Sequence, residues 1–171
     1  TTTDTVLVKK YGIVFANLAL NYLSLGIKDS AGYFIDKAIT ASREYENLFA
    51  LSNSLAIQSQ LFIRTGKPAN AEAPLKEVIA IRKLIGDPFY IVSDMSQLGL
   101  YYAHYGMPEK GVEVCKEGIN IASRYQLDSK LIFLYSSLGE NYKALKDTTA
   151  YASVLEKIIA LKDTVFQKNS A

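Results

Sequence analysis

Few residues in this chain have the type and spacing to do chemistry. It carries one histidine, His104, and one cysteine, Cys115. A protein metal site needs three or four clustered ligands, and one residue of each soft type cannot supply a cluster. A lone cysteine also excludes an internal disulfide. Nucleophilic catalysis needs a nucleophile, a base and a group that orients the base. His104 allows at most one imidazole-based site, and no Gly-x-Ser-x-Gly elbow or phosphate-binding glycine loop accompanies it. Acid pairs such as Glu113 and Glu117 are four residues apart and read as one solvated helix face. Twelve tyrosines offer stacking surfaces for bases, but a net charge of +2 is too small to hold a phosphate backbone. The reading is of a protein with no catalytic residues, no cofactor, no metal and no nucleic-acid partner.

The elements that position these residues repeat. Gly26, Gly66 and Gly106 stand forty apart. At the same interval Tyr22, Phe62, Tyr102 and Tyr142 form an aromatic column, and Ala19, Ser59, Gly99 and Gly139 a small one. Phe15, Leu55, Met95 and Tyr135 are bulky, and Ile35, Leu75, Cys115 and Leu155 are apolar. Leu18, Leu98 and Leu138 form a further apolar column, interrupted by Gln58. Cys115 therefore reads as a core residue. Pro68 and Pro108 follow two of the glycines and mark helix starts, because proline is tolerated in a first helical turn. Asp87-Pro88 reads as an N-cap followed by proline, and Asp128 and Asp147 also read as caps. Pro74 falls where a helix interior is expected, and is expected to kink that helix or delay its start. The pattern predicts eight helices over 5–25, 28–45, 48–65, 68–85, 88–105, 108–125, 128–145 and 148–167.

Order and spacing in each unit (bulky, Leu-small, aromatic, Gly, small, apolar) resemble the tetratricopeptide repeat. The resemblance spans residues 12 to about 168. The resemblance implies an all-α, right-handed superhelical array of antiparallel helix pairs. Four repeats, 5–45, 46–85, 86–125 and 126–168, then form a single domain over 1–171. The period is forty where the family has 34, which adds about three residues to each helix. Pairs stack because one pair cannot cover its own apolar face. Two uncharged runs, Lys10 to Lys28 and Glu46 to Arg64, approach the length of a membrane span. They hold Asn17, Asn21, Asn53, Gln58 and Gln60, and the repeat accounts for them as buried helices with no membrane insertion.

In tetratricopeptide arrays the first helix of each pair lines the concave face. By that resemblance Ala16, Ala56, Ser96 and Ser136 face a groove, and a protein or peptide ligand would meet Asn53, Gln60, Arg64, Ser96, Leu100, His104, Glu140 and Lys143. The groove lacks the basic and amide set with which some family members clamp a terminal carboxylate. The closing Leu161-Lys-Asp-Thr-Val-Phe166 resembles the end of the repeat region in bacterial membrane-bound histidine kinases and helix-turn-helix regulators. That resemblance implies the sensing or scaffolding part of a longer signalling protein, outside the cytoplasmic membrane. The alternative is a cytoplasmic assembly scaffold or adaptor. In the last helix Tyr151, Leu155 and Ile158 are expected to face the preceding helix. Val154, Leu161 and Val165 then form a second apolar stripe, expected to join a second copy in a homodimer or to pack on a following segment.

Overall fold

The computed structural model describes residues 11–170, with side chains to residue 167. Every regular element among the described residues is helical. The helices are α1 (Tyr11–Ser24), α2 (Lys28–Glu44), α3 (Leu48–Arg64), α4 (Glu72–Ile85), α5 (Pro88–His104), α6 (Pro108–Arg124), α7 (Asp128–Ala144) and α8 (Thr148–Ser170). A short 3-10 turn, Pro68–Ala71, leads into α4. The chain divides into two compact units at Gly86, each of two helix pairs.

What sets this regularity is the turns. Gly26, Glu46, Gly66, Gly86, Gly106, Gln126 and Lys146 all have positive φ, and they stand twenty apart. One left-handed residue after a helix lets the chain fold back and satisfy the last carbonyls. The six-to-one hydrogen bonds of that motif are present: Ile27 N–H to the Tyr22 carbonyl at 2.9 Å, Lys67 to Phe62 at 2.8 Å, Met107 to Tyr102 at 3.0 Å and Asp147 to Tyr142 at 3.0 Å. Their acceptors are the four aromatic-column residues. The alternate turns use Asn47 to Ser42 and Leu127 to Ala122. Gly86 closes α4 with the simpler bond to Arg82, 2.9 Å.

Pro74 is the third residue of α4. It is harmless there, because the first four N–H groups of a helix have no intrahelical acceptor. The 3-10 turn takes up the residues before it, so the start of α4 is delayed as expected. Asp87 and Asp147 cap α5 and α8, accepting from Phe89 N at 3.0 Å and Ala150 N at 2.9 Å. Asp128 is instead the first residue of α7 and Leu127 its N-cap, so Asp128 is an acid in the first turn and not the cap. Asn47, unanticipated, caps α3 through Ala50 N.

In the first unit α1 packs on α2 and α3, α2 on α3, and α3 on α4. Ala16, Ala19, Leu23, Ala31, Ile35, Ala38 and Ile57 form its first core, with Phe15, Tyr22 and Phe34 against it. The Tyr22 and Phe34 rings stack at 5.4 Å and 3°. Leu51, Leu55, Val78 and Ile81 make the second core.

In the second unit α5 packs on α6 and α7, and α7 on α6 and α8. Small residues decide how close these helices come. A β-carbon at Gly99 would overlap the Cys115 sulfur, and one at Gly111 would overlap the Asn141 amide. At Gly139 it would only touch the Tyr151 ring, 3.4 Å away. The close contact expected at both glycines thus holds strictly at Gly99. Asn141, fully buried, donates from Nδ2 to the carbonyls of Gly99 at 3.0 Å and Ser137 at 2.8 Å, tying α7 to α5.

Tyr151 and Ile158 lie against α7, as expected, but Leu155 does not: it is 41% exposed. The residue that enters the core is Val154, 4% exposed, packed with Cys115 and Leu138. Leu161 and Val165 continue that half-buried row. Tyr151, Val154, Ile158, Leu161 and Val165 follow alternating steps of three and four, which keep one face toward a neighbouring helix. Val154, Leu161 and Val165 are thus the inner stripe rather than the outer one.

Gly99→Leu should overpack the α5–α6 contact and lower stability by roughly 1–3 kcal/mol, read as a lowered thermal midpoint. Lys146→Gly should raise stability by roughly 1 kcal/mol, since a β-carbon is strained in the left-handed region. Chemical denaturation of the two variants beside the parent checks both signs.

Candidate functional site

Helices α5 and α7 are first helices of successive pairs, and they lie side by side. At their middle the contact is tight and polar. Ser96 Oγ and Ser137 Oγ are 2.8 Å apart, and Ser96 also donates to the Phe133 carbonyl at 3.2 Å. Serine hydroxyls bonded within a helix pair take little room, so the backbones approach. Beside that contact a groove of about 350 Å³ opens. Its lining is Val92, Ser93, Ser96, Gln97, Leu100, Lys130 and Phe133. Phe133 is 59% exposed. Lys130 lies over the Phe89 ring with its ammonium 3.8 Å from the centroid, and at 6.0 Å from that of Phe133. A cation over an aromatic face is an attractive pairing, and it holds the lysine at the mouth of the groove. The site is therefore an apolar trough with one cation at its rim and the exposed Gln97 beside it.

A second, smaller cleft of about 170 Å³ lies at the carboxyl ends of α5 and α7, lined by Ala103, His104, Glu140, Lys143 and Ala144. Glu140 and Lys143 are 3.7 Å apart. His104 Nδ1 lies 2.7 Å from the Leu100 carbonyl one turn earlier. The structure thus brings three of the expected residues together here, and Ser96 and Leu100 in the larger groove.

Solved structures share the fold. A signal-transduction ATPase with numerous domains from Pyrococcus horikoshii, which has a tetratricopeptide repeat sensor, matches 94% of this chain at a TM-score of 0.83 and 20% identity. BtubC from P. vanneervenii matches 90% at 0.80 and 18% identity. The tetratricopeptide-like repeats of a Podosopora anserina kinesin light chain match 91% at 0.79 and 15% identity. The fold is that of tetratricopeptide repeats. This chain spans a quarter (25%) of the first of those proteins, 64% of the second and 76% of the third. No family model matches the sequence, and no curated protein is similar to it.

Within these tetratricopeptide-like repeats, several expected groove residues have other work. Asn53 accepts a hydrogen bond from Arg82 of α4, a guanidinium that is 3% exposed and lies 5.2 Å from the Phe49 ring. It serves the inside of its own pair. Arg64 donates to the Leu23 carbonyl at 2.9 Å, completing a hydrogen bond at the carboxyl end of α1. Gln60 is half-buried on α3. Ala16 and Ser96 are buried, while Ser136 is exposed and bonds its own helix at the Ile132 carbonyl. That small column therefore serves helix contact more than ligand approach. Lys130, Phe133, Ser93 and Gln97 were not anticipated. A signal for Phe133 existed: Leu131, Leu134 and Leu138 mark the core stripe of α7, and Phe133 falls off it.

Among the described residues no cluster of metal-binding side chains occurs, and no helix is long and apolar enough to cross a membrane. Cys115 is fully buried, and burial pushes its thiol from the ordinary 9 up to about 12. The buried thiol stays protonated while the unfolded one ionises. Its contribution to stability is thus complete below about pH 9 and lost as pH rises toward about 12. The native chain should not react with a thiol-disulfide reagent at about pH 8, and should react with one equivalent after denaturation. Full reaction of the native chain would show that Cys115 is not in the core.

Proposed function

We propose that the chain is a binding module that holds a protein segment or peptide in the groove between α5 and α7. The observation that carries this reading is an exposed aromatic, Phe133, standing over an apolar trough between two first helices. Large exposed apolar side chains around a concavity are the usual anchor points of a partner. Leu100 and Phe133 would seat an apolar side chain, and Lys130 favours an acidic neighbour at the rim. His104, Glu140 and Lys143 extend the contact along the same two helices. Binding rather than catalysis fits a trough with no nucleophile–base pair in it.

The finer proposal is a sensing or scaffolding role in a signalling regulator. The repeat sensor of the Pyrococcus horikoshii protein supports it, and so does the closing segment Leu161–Phe166. A plain adaptor is the second reading, supported by the likeness to kinesin light chain repeats.

Peptides selected from a random library on the immobilised chain provide the probe. Phe133→Ala and Leu100→Glu should each weaken binding about tenfold or more, the range of interface anchor residues. Both residues are exposed enough for the fold to survive, which circular dichroism checks. Selected peptides that crosslink only to second-helix residues such as Lys76 or Lys116 would refute the groove.

A further inference from the structure

A cleft of about 310 Å³ lies where α6, α7 and α8 meet, and it shares no lining residue with the groove between α5 and α7. Its floor is apolar: Leu138 and Val154 are each 4% exposed. Tyr135 and Tyr142, half-buried, line it from α7. They stand seven residues apart, two turns along one helix face. The rim is polar and comes equally from two helices. α6 contributes Lys116 and Asn120, and α8 contributes Ser153 and Lys157. Each pair is spaced by four, so its members are neighbours on one helix face.

The charge of this rim has one sign. Among the described residues that line the cleft there is no acid, and neither lysine makes an ion pair with a described residue. The Lys157 ammonium lies 5.4 Å from the Tyr135 ring centroid, an attractive pairing that keeps the charge at the cleft. The first unit supplies the contrast. Two repeats earlier, the positions of Lys116 and Lys157 are Asp36 and Glu77, and that of Ser123 is Arg43. There the chain provides its own countercharge, since Arg43 of α2 reaches Glu77 of α4 at 2.9 Å. In the second unit the sign is reversed, and Ser123 has no charge to offer Lys157. A cleft with apolar walls and one sign of charge focuses its field on what enters, which favours a ligand of the opposite sign.

Size and lining set the rest. Ligand pockets run from about 300 to 1,000 Å³, so this one suits a small molecule. Tyr135 is the polar member of a column that otherwise holds Phe15, Leu55 and Met95. A phenol offers a ring face and an O–H donor together. We propose that this cleft binds a small organic oxyanion, with a flat apolar body over Leu138 and Val154 beside the two tyrosines, and its charged end at Lys116 and Lys157. Asn120 and Ser153 are further donors for its oxygens.

Calorimetric titration of the chain with naphthoate, beside the uncharged naphthalenemethanol, tests this. Naphthoate should bind at one equivalent per chain and weaken as salt is added. The alcohol should bind about tenfold more weakly, the loss of one charge-assisted contact. Lys116→Gln and Lys157→Gln should each weaken naphthoate severalfold and leave the alcohol unchanged. Both lysines are exposed, so the helical spectrum should not change. Lys130→Gln, in the other groove, should leave naphthoate binding as it is. Absence of saturable naphthoate binding overturns the proposal. So does binding that survives the loss of both Lys116 and Lys157, or binding that is lost with Lys130→Gln instead.

Discussion

Every helix described between Gly26 and Asp147 is closed at both ends by the same device, a left-handed residue once in twenty. Five of these helices (α2, α3, α5, α6 and α7) consequently have the same length, 17 residues. Within each unit, equal lengths bring nearly equivalent positions of successive first helices together, as Leu23 with Arg64 and Ser96 with Ser137. Columns in the sequence thereby become rows of contact in space. The device works without glycine at Glu46, Gln126 and Lys146, so the hydrogen-bonded turn and the packing on either side outweigh a left-handed cost of about 1–2 kcal/mol each.

Given that frame, small residues set the distances. Gly99 lies against Cys115 and Gly111 against Asn141, while Gly118 admits Leu134. These three contacts join α5, α6 and α7 into one body. Glycine inside a helix costs roughly 1 kcal/mol relative to alanine. The return is close packing of a thiol, an amide and a leucine that a β-carbon would push out. Asn141 adds polar cohesion, since its buried bond to the Gly99 carbonyl joins α7 to α5. The same closeness at Ser96 and Ser137 leaves the groove beside it open.

Around the groove, exposed aromatics stand on two helices held rigidly by polar contacts beneath them. Rigid walls lose little freedom on binding, which favours an occupant that brings its own flexibility.

The sequence by itself determined the helices among the described residues and their order. Periodic columns fix helical phase, and Gly26, Gly66 and Gly106 announce turns that need positive φ. The left-handed Glu46, Gln126 and Lys146 were not legible, because nothing in an exposed polar residue announces a left-handed backbone. The core role of Cys115 was legible from its apolar column. The site was legible only in part. Leu100 and His104 were found by their phase on α5, and Glu140 and Lys143 by theirs on α7. Asn53 and Arg64 share that kind of position, yet they face Arg82 and the Leu23 carbonyl, partners 29 and 41 residues away that only packing brings near. On α8 the inner row was misread for the same reason: Tyr151 and Ile158 lie in it as expected, but Val154 takes the place expected of Leu155. Val154 and Leu155 are both apolar and adjacent, and 100° of rotation about the helix separates core from solvent. Which of them turns inward depends on the seat that Cys115 and Leu138 leave for it, and that seat exists only once α6, α7 and α8 have come together.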